Sequence, residues 1–78
     1  MVDGILASIY SRMKVRMTRN VLVEIEKSKL GEVWDKHLSR WDELNVEKMD
    51  VQKNLANLLT VDGDIYLDVP VDAFTVIS

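Results

Sequence analysis

Along residues 30–59, LGEVWDKHLSRWDELNVEKMDVQKNLANLL, apolar side chains return at steps of three and four. At about 100° per residue, Leu30, Val33, Trp34, His37, Leu38, Trp41, Leu44, Val51, Leu55, Leu58 and Leu59 share one face. Glu32, Asp35, Lys36, Arg40, Asp42, Glu43, Glu47, Asp50 and Lys53 share the other. That is the period of an amphipathic helix, and the spacing predicts one long helix over about residues 29–59. Positions 30, 34, 37, 41, 44, 51, 55 and 58 also form a heptad seam, with Lys48 at its missing step. Ser28 suits the N-cap, with Glu32 in the first turns. Thirty helical residues span about 45 Å, whereas a compact chain of this length is about 30 Å across. Such a helix either packs against a second copy or bends. Asn45-Val46 is the expected bend, because Val46 is the apolar residue that points into the charged face.

The flanks read differently. Ile5, Leu6, Ile9, Tyr10, Met13 and Met17 predict an N-terminal helix capped by Asp3 and stopped at Asn20. A strand at Arg12–Thr18 competes, since Met13, Val15 and Met17 alternate with Arg12, Lys14 and Arg16. Val21–Glu26 is β-branched and alternating, the signature of a short strand; the alternative, that it begins the long helix, is opposed by Gly31. After Leu59 the period changes to two. Thr60–Asp64 predicts a turn on its Asp-Gly pair. Ile65, Leu67, Val69 and Val71 then predict a strand whose other face carries Asp64, Asp68 and Asp72 as a solvent face. Pro70 cannot donate to a ladder, so this strand lies at an edge or ends there. Ala73–Ile77 supplies a further short strand. The expected fold is α+β and mainly helical: a single domain, 1–78, in which a small C-terminal β element covers part of the long helix.

Composition sharpens one point. With 78 residues the core is small, and with no cysteine neither disulfides nor thiolate metal sites reinforce it. Oligomerisation is the remaining common remedy, and the heptad seam predicts a homo-oligomer, a dimer first of all. Net charge is −3, unevenly spread: residues 1–29 are net basic and residues 60–78 carry four aspartates and no cation. The two ends are expected to neutralise each other within or between subunits. The first segment lacks the basic start and unbroken apolar run of a signal peptide. As a mitochondrial presequence it is followed too closely by Glu24 and Glu26. No run reaches transmembrane length, and Arg16 interrupts the apolar face of any membrane-surface helix over residues 3–19. The cytoplasm is the default compartment.

Little in the chain resembles a reaction centre. His37 is the single histidine, no nucleophile elbow is present, and Gly4, Gly31 and Gly63 are isolated rather than gathered in a phosphate loop. The aspartates after residue 60 lack EF-hand spacing. The expectation is a protein without catalytic residues, metal or cofactor. Trp34, His37 and Trp41 form the most informative cluster, either core stripe or interface anchor, because Trp is enriched where binding energy concentrates. With Leu44, Val51, Leu55 and Leu58 they make the expected interface. Arg12, Lys14, Arg16 and Arg19 are the candidate anion-binding residues. The function these features predict is a small interaction module acting as an assembly component, adaptor or inhibitor of another macromolecule. The alternative is a dimeric nucleic-acid-binding regulator using residues 12–19, which the acidity of the whole chain disfavours.

Overall fold

Val21, Val23 and Ile25 point inward and Leu22, Glu24 and Glu26 point outward, so the chain follows the alternation its sequence carries here. In the computed structural model, which describes residues 13–78, that stretch is strand β2, Val21–Lys27. Strand β1, Lys14–Met17, precedes it. Strands β3, Glu32–Leu38, β4, Glu43–Asp50, β5, Leu55–Leu59, and β6, Ile65–Pro70, follow. A 3-10 turn at Val71–Ala73 leads into β7, Phe74–Val76. All pairings are antiparallel, in the order β3-β2-β6-β5-β4-β1-β7.

The first four strands are one long ribbon. Its pairs, Lys27↔Glu32, Val21↔Leu38, Arg16↔Glu43 and Lys14↔Asn45, keep a single register on both sides of a corner. The corner is residues 18–20 on one strand and 39–42 on the other. It is tied by the Met17 N–H donating to the Asp42 carbonyl at 2.9 Å and the Trp41 N–H donating to the Met17 carbonyl at 2.9 Å. The Asn20 side-chain oxygen accepts from the Arg40 N–H at 2.6 Å. The β5–β6 hairpin fills the fold of the ribbon, β5 beside β4 and β6 beside β2.

Distance forces the sheet to roll. From β2 to β1 the sheet order runs through β6, β5 and β4, which on a flat sheet is about 19 Å at the usual strand spacing. The link between β1 and β2 is residues 18–20, and even fully extended it reaches only about 14 Å. The sheet therefore curls until its inner face meets itself. Val15, Met17, Val21, Val23, Ile25, Leu38, Leu44, Val46, Ala56, Leu58, Tyr66, Val69, Ala73 and Phe74 fill that interior.

This corrects the expected α+β, mainly helical fold. No long amphipathic helix spans 29–59; that stretch is β3, β4, β5 and the turns between them. The longest dimension of the molecule is 33 Å, shorter than the helix would have been. The steps of three and four come from strands broken by turns and a bulge. Lys27 accepts from the Leu30 and Gly31 N–H groups at 3.2 and 2.8 Å, one helical turn that Gly31 stops at φ +65°. Ser28 begins this turn, which is why it resembles a helix cap. Asn54, at φ 55°, closes the β4–β5 turn in the same way. In β4 the pairs Val46↔Leu58 and Lys48↔Asn57 leave Glu47 as an extra residue. The bulge brings Met49 against the core three residues after Val46, a helical step made by strand geometry. Val46, expected in a charged face, is 0% exposed.

The flanks are closer to expectation. The competing strand reading of 12–18 holds as β1 within the described residues, in place of the N-terminal helix; residues 3–12 of that helix lie outside them. The Thr60–Asp64 turn forms, with Gly63 at φ +87°. Strand β6 ends at Pro70 but runs centrally, between β2 and β5, and it does not pair with β7. Its inward residues are Tyr66 and Val69. Leu67 and Asp68 face the single residue Asn57, a second bulge in which Asp68 takes φ 52° and donates its N–H to the Asn57 side-chain oxygen at 3.1 Å.

Val46→Asp separates the two architectures. On a charged helix face it would be harmless. Inside this sheet it buries an unpaired carboxylate and is expected to cost more than about 4 kcal/mol, read as loss of the cooperative urea transition. A variant as stable as the wild type would contradict the fold.

Candidate functional site

Strand β3 has a strand neighbour, β2, on one side and none on the other among the described residues. Six of its seven residues, Glu32 to His37, are exposed, and Leu38 alone reaches the core. Both faces of the strand are visible to solvent. Val33, Asp35 and His37 stand on the outer face, opposite Glu26, Glu24 and Leu22. Glu32, Trp34 and Lys36 stand on the inner face beyond the point where the interior is covered. Trp34 pairs across to buried Ile25 yet remains 49% exposed, and Val33 is 47% exposed. The Trp34 Nε1–H donates to Glu32 Oε2 at 3.0 Å, and Lys27 Nζ lies 5.9 Å from its ring. The indole is thus held in one orientation at the sheet edge.

A second feature sits at the ribbon corner. Trp41 is 63% exposed and adopts φ 78°, a left-handed conformation that costs a bulky side chain about 1–2 kcal/mol. The Arg40 guanidinium lies 4.5 Å over its ring, close enough for a cation–π contact.

The expected seam does not exist as one surface. Trp34, His37, Trp41 and Val51 are exposed on separate elements: the β3 edge, the corner and the β4–β5 turn. Leu44 and Leu58 belong to the core, and Leu55 is half-buried. Among the basic residues, Arg16 pairs with Glu43 at 3.0 Å and Lys14 approaches the same carboxylate at 4.0 Å. Arg19 pairs with Asp72 at 2.8 Å. Arg12 lies outside the described residues. All three described cations therefore face carboxylates, in exposed pairs worth under about 1 kcal/mol each.

Asp64 departs from its expected place on a solvent face. It is buried, 8% exposed, at the start of β6. Its carboxylate accepts from Lys27 Nζ at 2.6 Å and from the Ser28 N–H at 3.2 Å, and its own N–H donates to the Thr60 hydroxyl at 3.1 Å. This network fastens the β2–β3 turn to the β5–β6 turn. The hydrogen bond from Lys27 outweighs burial and, with the Ser28 N–H, holds the Asp64 carboxyl below its usual range. The same bond raises Lys27 above its usual value.

Sequence reasoning passed over Glu32, Val33, Lys36 and Arg40 as site residues. The available signal was Val33-Trp34, adjacent apolar residues between Glu32 and Asp35, which in a strand must occupy both faces. No protein-family model, curated protein or solved structure matches the chain. Among the described residues no helix is long and apolar enough to cross a membrane.

Two measurements probe these sites. Asp64 contributes stability fully above its unfolded value, near pH 4, and loses it as pH falls through its lower folded value. The stability gap between wild type and Asp64→Asn, from urea unfolding, should be constant from about pH 5 to 8 and shrink at about pH 3. An equal gap at both ends would remove the Lys27 bond as its source. At the corner, Trp41→Gly should exceed Trp41→Ala in stability by about 1 kcal/mol, because glycine accepts positive φ without a Cβ clash. The reverse order would mean that the left-handed conformation is not held in solution.

Proposed function

We propose that this chain is a small, non-enzymatic protein-interaction module of the cytosol that works by self-association, as an assembly component rather than a catalyst. The observation that carries this reading is the β3 edge. It presents seven residues of strand with a partner on one side among the described residues, and it displays Val33 and Trp34 there. Unpaired strand edges are templates for another chain, and natural proteins blunt the edges they do not use with short strands, bulges, proline or charged side chains, of which β3 has only the last, in Glu32, Asp35 and Lys36. The opposite edge, β7, is three residues long, while β3 is long, unbulged and free of proline. Trp34 adds a large, oriented apolar surface of the kind that anchors protein interfaces.

The nucleic-acid alternative draws less support. Lys14, Arg16 and Arg19 are engaged by Glu43 and Asp72, and a phosphate would have to displace those carboxylates.

Sedimentation equilibrium tests the proposal. The expected result is a mass above the 9.0 kDa of one chain at tens of micromolar. A monomer throughout the range would refute self-association.

A further inference from the structure

We infer that the partner of β3 is β3 of a second copy, paired antiparallel across a two-fold axis that passes through Trp34. The inference deepens the self-association reading above and rests on it. A two-fold axis perpendicular to a sheet keeps each residue on its own face, so the two strands must be centred on a residue, and directly opposite positions carry same-face side chains. Few centres are available on so short a strand, and like charge removes two of them. Centring on Asp35 sets Asp35 opposite its own copy. Centring on Lys36 sets Lys36 opposite its own copy. Like charges directly opposed destabilise a strand pair.

Centring on Trp34 sets the two indoles together and places Glu32 of each copy opposite Lys36 of the other. All four of those charged side chains and both indoles lie on one face, since Glu32, Trp34 and Lys36 alternate with Val33 and Asp35. On the other face Val33 and Asp35 exchange places, and no like charges meet. The strand is therefore self-complementary in this register: an aromatic centre flanked on each side by an ion pair. The unbulged pairing of β3 with β2 leaves the far side of β3 straight enough to accept a second ladder. A centre shifted to Asp35 or Lys36 brings like charges into contact, and one shifted to Val33 sets Glu32 opposite Trp34 and makes neither ion pair.

A charge swap in the full chain tests register and surface together. Glu32→Lys and Lys36→Glu each turn two attractive pairs into two repulsive ones, so each should weaken dimerisation by about ten-fold or more. The double variant restores both pairs reversed and should return to within about three-fold of wild type. Circular dichroism confirms that each variant folds. Association in the wild type that neither single variant weakens would overturn pairing through β3 while leaving self-association standing. Weakening by both without rescue by the double would overturn the Trp34-centred register. A wild type that stays monomeric overturns both readings. Hydrogen exchange then identifies the occupant: protection, in a monomer, of the β3 amides that point away from β2 means that another segment of this chain covers the edge.

Discussion

The reach of residues 18–20 governs this molecule. Strands that end and begin within a few residues of each other stand at the two sides of a sheet, with β6, β5 and β4 between them. A flat sheet is impossible under that tether, so the sheet rolls and its inner face becomes a core. The constant register of the ribbon follows from the same constraint. Both strands must turn at the same place, and they do so without gaining or losing a residue relative to each other. Hydrogen bonds from Met17, Trp41 and Arg40 keep the corner's backbone paired where the ladder is interrupted. The positive φ of Trp41 is the local cost of making this crease with a bulky residue.

Rolling also decides which residues are available for contact. A closed interior covers β2, β6, β5, β4 and β1, but the far part of β3 extends past it. The residues left outside are not uniformly polar. Trp34 occupies an inward-facing position of a strand that no longer has an interior to face, so a residue patterned for burial ends up half-exposed at an edge. That conflict between pattern and place leaves an apolar side chain exposed at the β3 edge, and it arises from topology rather than from any motif.

Why the sequence misled over residues 29–59 is now physical. A strand contributes buried residues at steps of two, as Leu44 and Val46 do in β4 and Ala56 and Leu58 do in β5. Turns and the Glu47 bulge insert extra residues and convert the sum into steps of three and four. The Asp-Gly pair at Gly63 announced one turn, whereas Gly31 and Asn54, which end two others at positive φ, were absorbed into the helical reading, and the corner is made by Trp41, a residue type with no turn signal. Val21–Glu26 was legible as a strand against the alternative of a helix start, and it lies in β2, which carries no turn or bulge. The alternation in β6 was legible as a strand, yet its facing was not, because the bulge at Asp68 depends on the Asn57 side chain in another strand. Of the expected interface, Trp34, read from the sequence as either core stripe or anchor, is exposed at the β3 edge. Leu44 and Leu58 were not separable from it, since a helical reading places core and surface leucines on the same stripe.

The buried Asp64 bears on the edge as well as on the core. Its bond to Lys27 fixes the last residue of β2, and its bond to Ser28 fixes the turn from which β3 departs. Lys27 also lies over the Trp34 ring, while Glu32 holds the indole from the strand itself. A projecting hairpin of this length would otherwise fray, and a frayed strand must be ordered before it can pair. Ordering costs side-chain and backbone entropy on association, and a surface fixed in advance avoids much of that cost. The network therefore does for the edge what the corner does for the core: it fixes the geometry of the strand that leaves it.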